Sequence, residues 1–396
     1  MKLSQRVAKL TPSITMAVSA KAKALQAQGF DVIDFGAGEP DFDTPAFIRE
    51  AAIKAMQSGM TRYTPPNGLL ALRQAVADSY RAEHGLNYAA NNVVITCGAK
   101  QALFNLFQLL LDPGDEVIVP APYWVSYPEM IWLAGGVAKI VDTTEATSFR
   151  VTADQLRAAI TPRTKALLLN YPSNPTGAAY SRADLAALAA VLVDRDIWTI
   201  SDEVYEYLIY DNFKFVCFPT VNDKLAARTV VVSGASKTYA MTGWRIGWAV
   251  GPADIIEMMS RFQSQSTSNA TSFAQAGAIA ALKSPRDWFA PMHAEYVARR
   301  DYMVDRLNAL PGVQCFKPEG AFYVFPRVDS YYGKSANGKA IDGSLAMCDY
   351  LIEQAKIAAT PGVGFGQDAN IRLSYATSMA QIEAGLDRLE RALAAL

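Results

Sequence analysis

Histidine is nearly missing from this 396-residue chain: only His84 and His293 occur, and neither has a cysteine pair or a second histidine nearby. That excludes a zinc site and a histidine-centred triad, so any general base here is another residue type. The four cysteines, Cys97, Cys217, Cys315 and Cys348, form no C-x-x-C pair, which fits reduced thiols and a cytoplasmic setting rather than a disulfide framework. An excess of one charge is missing too. Lys plus Arg number 37 against 38 Asp plus Glu, leaving a net charge of -1 and no footprint for nucleic acid or a membrane surface. The strongest apolar runs, 103–111 and 185–193, are too short to cross a bilayer, and residues 1–23 hold no apolar core of a secretory signal.

What the chain does have is apolar residues in quantity, 51% against 19% charged. At this length that predicts a globular protein of roughly two to three structural units and excludes disordered chains. Strand-sized β-branched runs at 93–96, 116–119, 165–169, 197–201, 229–233 and 245–250 alternate with helix-compatible segments. This pattern predicts an α/β fold, a mostly parallel sheet sandwiched by helices, in a large domain over 46–285. Thr44 and Pro45 suit an N-cap and a first helical position, and Gly59 and Gly85 suit helix stops. Beyond 251 the character changes. A long helix over 287–310, short strands near 321–325, 357–360 and 371–374, and a terminal helix over 378–396 predict a smaller α+β domain built from 1–45 and 286–396. Residues 330–343, rich in Gly, Ser and Lys, read as a flexible loop. Two nucleotide-like signals fail: Ala340 stands where a P-loop needs a hydroxyl, and Gly362, Gly364 and Gly366 open no helix after a first strand. A nicotinamide dehydrogenase is not expected.

The informative segment runs from Ser233 through Ser236 and Lys237 to Arg245. Lys237 lies in a small-residue turn between two strand-like runs, where burial can depress an amine's pKa and make it a nucleophile toward a carbonyl. A lone loop lysine is more often a solvated charge. Ser233, Ser236 and Arg245 change the odds, because together they form a phosphate cluster. A carbonyl for the lysine and a phosphate for the arginine suggest pyridoxal 5'-phosphate. The ring nitrogen of that cofactor needs a fixed carboxylate to make the ring an electron sink, and Asp202 ends a strand run, where open α/β sheets gather their sites. Tyr205, and Asn174 in the Asn174-Pro-Thr-Gly177 turn, can meet the cofactor's phenolate oxygen. Read singly, Asp202 is a helix N-cap and Asn174 part of a turn. Gly98 and Ala99, between a strand and a helix, can offer amides to the phosphate, and Trp124 can stack on the ring. Tight turns and core tryptophans use the same residue types.

In order and spacing, Gly36-Ala-Gly38-Glu-Pro-Asp-Phe, Arg62-Tyr63-Thr-Pro-Pro-Asn-Gly, Asn174-Pro-Thr-Gly, Ser201-Asp202-Glu203, Ser236-Lys237 and Ile371-Arg372-Leu-Ser-Tyr resemble the class I/II pyridoxal-phosphate-dependent aminotransferases of fold type I, over essentially the whole chain. Each motif is weak singly; together they are specific. Ala121-Pro-Tyr-Trp-Val-Ser-Tyr-Pro and Ala240-Met-Thr-Gly-Trp-Arg-Ile-Gly are similar to the bacterial aspartate and aspartate/prephenate branch. The resemblance implies that Lys237 links covalently to the cofactor and carries a proton between the substrate α-carbon and the cofactor's C4'. It implies that Arg372 binds the substrate α-carboxylate as a fork, oriented with help from Gly38, Trp124 and Asn174, and that Tyr63 reaches the phosphate of the neighbouring subunit in a homodimer. By itself Arg372 also reads as a surface ion pair.

This chain departs from the family pattern at two places. Where the best-known branch of aspartate aminotransferases places a partner arginine for the distal carboxylate, Ser264 stands here; the nearer branch gives that work to Lys100, which alone reads equally as a helix N-terminal residue on phosphate or solvent. A histidine often found three residues after the stacking tryptophan is replaced by Tyr127, so Asp202 must be supported differently. The implied activity is transfer of an amino group from an L-amino acid, aspartate or glutamate, to a 2-oxo acid by ping-pong kinetics. An aromatic or prephenate-like oxo acid is the alternative acceptor. A non-catalytic regulatory protein that binds the same cofactor is the remote alternative, for which the chain offers no basic patch.

Overall fold

The computed structural model describes residues 4–11 and 14–396. Its central sheet has seven strands: β1 (Val93–Thr96), β2 (Glu116–Ala121), β3 (Val137–Asp142), β4 (Thr164–Asn170), β5 (Trp198–Asp202), β6 (Thr229–Gly234) and β7 (Gly247–Val250). They lie in the order β1-β7-β6-β5-β4-β2-β3, and only β7 runs against its neighbours. Every residue of β1, β6 and β7 is buried, because helices cover both faces of the sheet. That is why these strands read as unbroken apolar runs rather than as alternations. The run at 245–250 yields a strand only from Gly247, since Arg245 adopts a left-handed backbone with φ of 56°. β3 carries no comparable signal. It is the sheet's edge, partly exposed along its length, and its Val-Ala-Lys-Ile-Val-Asp sequence mixes apolar and charged residues.

The first helix after Thr44 begins at Ala46 with Pro45 as its cap, so Thr44 is not the N-cap its sequence suggests. Its hydroxyl instead donates to the Ala240 carbonyl at 2.6 Å and accepts from the Trp244 indole at 3.0 Å, tying the helix entry to the turn after Lys237. Helix Leu70–His84 stops at Gly85, whose φ of 71° is the left-handed cap expected there.

The C-terminal layer packs helices Phe289–Asn308 and Met379–Ala394 against a three-stranded antiparallel sheet of Thr360–Pro361, Ile371–Ser374 and Tyr323–Val324. The apolar run at 357–360 is two strands, not one. Ile357–Ala358 pairs in parallel with Ile33–Asp34 from the N-terminal segment, while Thr360–Pro361 joins Ile371–Ser374. The N-terminal segment therefore completes this layer, and the Ser374 amide donates to the Phe35 carbonyl at 2.8 Å. Residues 330–343 are not simply a flexible loop: Ser335–Ala336 and Lys339–Ala340 form a hairpin turned by Asn337-Gly338, both at positive φ. The C-terminal layer has its own apolar core around Leu307, Phe322, Leu373 and Leu386, distinct from the cores under the large sheet.

Candidate active site

A cleft of about 530 Å³ opens where the carboxyl ends of β4, β5 and β6 face the C-terminal layer. Strand register builds its floor. Asn170 lies beside Asp202 across β4 and β5, and β6 ends at Gly234, just before Ser236 and Lys237. The half-buried Lys237 amine donates to the Gly38 carbonyl and sits 5.8 Å from the centre of the Tyr205 ring. Burial brings its pKa down to about 8, with Arg372 and Arg245 pushing the same way and Glu39 and Asp202 opposing. A usable fraction is then neutral amine near neutral pH, the form that attacks a carbonyl.

Asp202 is buried on the same floor, and burial raises its pKa to about 6 against the hydrogen bond from Tyr127, the Val204 amide and the Lys237 charge. The Tyr127 phenol donates to Asp202 Oδ2 at 2.6 Å, and its ring meets Trp124 edge-on with centroids 5.3 Å apart. Tyr127 is thus the support that the missing histidine left open. Burial and the Asp202 charge hold its own pKa well above the ordinary phenol value, so it stays a neutral donor. Because the folded-state pKa of Asp202 lies above its ordinary 3.8, stability present at low pH is lost as pH rises through about 6. Tyr127→Phe should deepen that loss, lowering stability by about 2–3 kcal/mol at pH 8, where the carboxylate is charged, and by about 1 kcal/mol at pH 5. Urea unfolding of the cofactor-free protein at the two pH values checks this, and an equal loss at both would refute it.

Arg372 is only 2% exposed. Its Nη1 donates to Asn174 Oδ1 at 2.9 Å and its Nη2 to the Gly36 carbonyl at 2.7 Å, while Nε has no partner. The guanidinium lies 4.5 Å from the centre of the Tyr323 ring, whose hydroxyl is 2.9 Å from that of Tyr205. Among the described residues no carboxylate comes within ion-pair range of it. A buried guanidinium with no ion pair has the charge and the donors to receive an incoming carboxylate.

The opposite end of the cleft suits phosphate. Gly98, at φ of 79°, caps helix Ala99–Leu110, and a Cβ there would fall 2.3 Å from Arg245 Nη2. Arg245 donates from Nη2 to the Cys97 carbonyl at 3.2 Å and from Nη1 to that of Thr242 at 2.9 Å. Ala99, Ser236 and Arg245 all line the cleft, so a helix N-terminus, a hydroxyl and a guanidinium converge. Lys100 lines it as well, its amine 4.7 Å from the Trp124 ring centre. Burial lowers the Lys100 pKa, helped by Arg245.

Three predicted residues stand elsewhere. Ser233 is not part of the phosphate cluster: strand alternation turns it to the other face of the sheet, where its hydroxyl donates to Glu206, itself bonded to His84. Gly98 lies behind Arg245 rather than on the cleft wall. Tyr63 is 90% exposed and outside the cleft. Sequence reasoning in turn missed Tyr323, hidden in a run read only as a strand, and Asp34 and Thr242, which also line the cleft. Proximity to the Gly38 and Arg245 motifs was the only available hint for the last two.

Residues 31–389 match the family described as aminotransferase class I and II. The chain is 48% identical to the aspartate aminotransferase of Geobacillus stearothermophilus, over 99% of this chain and 98% of that protein. It is 46% identical to the probable aspartate/prephenate aminotransferase of Rhizobium leguminosarum bv. phaseoli, over 98% of each. The crystal structure of the aspartate aminotransferase from Rhizobium meliloti superposes with a TM-score of 0.96 at 42% identity, covering 100% of this chain and 99% of that one.

Proposed function

The chain belongs to the class I and II aminotransferases, an enzyme family that moves amino groups, and on that footing we propose that it transfers the amino group of aspartate or glutamate to a 2-oxo acid with pyridoxal 5'-phosphate as its cofactor. One observation carries this: a single cleft holds an amine with pKa near 8 at Lys237, the buried carboxyl of Asp202, and at Arg372 a buried guanidinium with an unpartnered N–H. The donor set fits the cofactor at both ends, since Ala99, Ser236 and Arg245 line one end of the cleft as a phosphate needs and Trp124 lines the same cleft as Asp202 and Lys237. When bound, pyridoxal phosphate supplies an aldehyde that condenses with amines and a ring that draws electrons from the substrate α-carbon.

Each side chain then has a task. Lys237 would hold the cofactor and, once displaced by substrate, would carry the proton from the α-carbon to C4'. Asp202, steadied by Tyr127, would keep a proton on the ring nitrogen. Ser236, Arg245 and the amides of Ala99 and Lys100 would hold the phosphate, and Asn174 and Tyr205 would meet the phenolate oxygen. Arg372 grips the α-carboxylate beside Gly38, Trp124 and Asn174. Lys100, poised over Trp124, takes the distal carboxylate of a dicarboxylic substrate. Tyr63, at 90% exposure, serves the phosphate of a partner chain in a homodimer. We divide the chain into a large domain, 46–285, and a small one, 1–45 with 286–396. All four cysteines are free, which favours a cytoplasmic setting, and among the described residues no helix is long and apolar enough to cross a membrane.

An aromatic or prephenate-like acceptor is the second reading, favoured by the aspartate/prephenate name of a 46% identical relative and by the aromatic wall that Trp124 gives the cleft. Absorption spectra and paired half-reactions test both. The cofactor-loaded protein should show a visible band that moves to shorter wavelength on adding aspartate, with kcat/KM for aspartate at least about tenfold above that for phenylalanine. A colourless protein that cannot be reconstituted would overturn the cofactor assignment, and a reversed ratio would favour the aromatic reading.

A further inference from the structure

We propose that Asp34 is a positioning residue for Arg372, acting through Gly36: its carboxylate pins the Gly36 amide, so that the Gly36 carbonyl aligns the guanidinium for the substrate carboxylate. The inference rests on the role given to Arg372 above. Asp34 lines the cleft, and its Oδ1 accepts from the Gly36 N–H at 2.7 Å. The Gly36 carbonyl accepts from Arg372 Nη2, also at 2.7 Å. Gly36 is thus gripped on both sides, by a carboxylate and by a guanidinium.

The surrounding backbone explains why a side chain is needed at this point. Residues 33 and 34 are held by pairing with Ile357–Ala358, and Phe35 by bonds to Ala358 and Ser374, the last belonging to the strand of Arg372. At Gly36 this ladder stops, and the amide donates instead to the Asp34 side chain. Space there is tight. A Cβ on Gly36 would come 3.0 Å from Asp34 Oδ1, 3.1 Å from Val18 in helix Ile14–Ala27 and 3.6 Å from the Thr360 hydroxyl, itself a partner of Arg372 Nη2 at 3.4 Å. A shift of the Gly36 peptide would therefore carry the guanidinium with it, and small displacements of a binding group weaken the contact it makes with substrate.

The charge of Asp34 has a separate effect from its hydrogen bond. It is the carboxylate whose field reaches Arg372, yet it makes no ion pair with it, so the guanidinium keeps its charge uncompensated by a direct carboxylate partner. Asparagine at 34 would keep the acceptor oxygen and drop the charge, whereas alanine would drop both. The two variants therefore separate positioning from electrostatics.

The test uses the cofactor-loaded enzyme with succinate, a dicarboxylate with no amino group to transfer, its Kd read from the change in the cofactor's absorption. Asp34→Ala should weaken succinate about tenfold and raise KM for aspartate by a similar factor, with kcat within about threefold of the parent. Asp34→Asn should restore both constants to within about threefold. The proposal falls if the asparagine variant is as impaired as the alanine variant, or if its own succinate Kd rises more than about tenfold, a result readable even should the alanine variant not fold. Arg372→Lys run in parallel separates the two ideas. Unchanged succinate binding there would remove the premise, while a defect there with normal binding in Asp34→Ala would remove only the inference.

Discussion

Replacing Lys237 with alanine should lower amino transfer by at least about 10⁴-fold. On the proposed mechanism this amine has two jobs: it attaches the cofactor as a nucleophile, and it moves the α-proton as a base, a role worth about 10²–10⁴-fold by itself. Two other amines line the cleft, Lys23 and Lys100, and Lys100 is engaged over Trp124 and cannot substitute without leaving it. Single-turnover mixing with aspartate measures the rate. Borohydride reduction followed by peptide mass analysis should find the cofactor's mass on residue 237 of the parent and on no peptide of the variant. A variant turning over within tenfold of the parent would end the assignment.

Asp202→Asn should cost about 10³-fold in kcat, in the upper range for removing one preorganised electrostatic group. Asparagine has nearly the shape of aspartate, and its oxygen can still accept from Tyr127, so packing and the 2.6 Å hydrogen bond have a substitute. What disappears is the negative charge that, on the proposed mechanism, would keep a proton on the cofactor's ring nitrogen, and with it the ring's capacity to absorb the α-carbon's electrons. KM should change far less than kcat, because Arg372 and Lys100 are untouched. Steady-state rates with saturating aspartate decide the matter; a loss below tenfold would mean that Asp202 is structural.

The residues that were legible in the sequence share one property: their backbone context is local. Lys237, Asp202, Asn174 and Arg372 each follow or sit on a strand that its own composition announces, and the cleft gathers all four. Ser233 was misassigned because nearness along the chain says nothing about which face of a strand a side chain leaves from. Tyr127 could be seen to replace a histidine, but its bond to Asp202 spans 75 residues and depends on how the helix after β2 packs over β5. β3 and the hairpin at 335–340 escaped for a different reason, since edge strands with mixed polarity and two-residue strands carry too little periodicity to stand out.

The pairing of Ile33–Asp34 with Ile357–Ala358 also sets a clock on biosynthesis. The early strand leaves the ribosome roughly 320 residues ahead of its mate, and at about 5–20 residues per second that is a wait on the order of tens of seconds. During that interval the segment bearing Gly36 and Gly38 has no edge to dock on, so the sheet that carries Lys237 can close before the carboxylate-binding wall exists. Competence to bind substrate waits on the strands at 357–358 and 371–374, which bring that edge and Arg372.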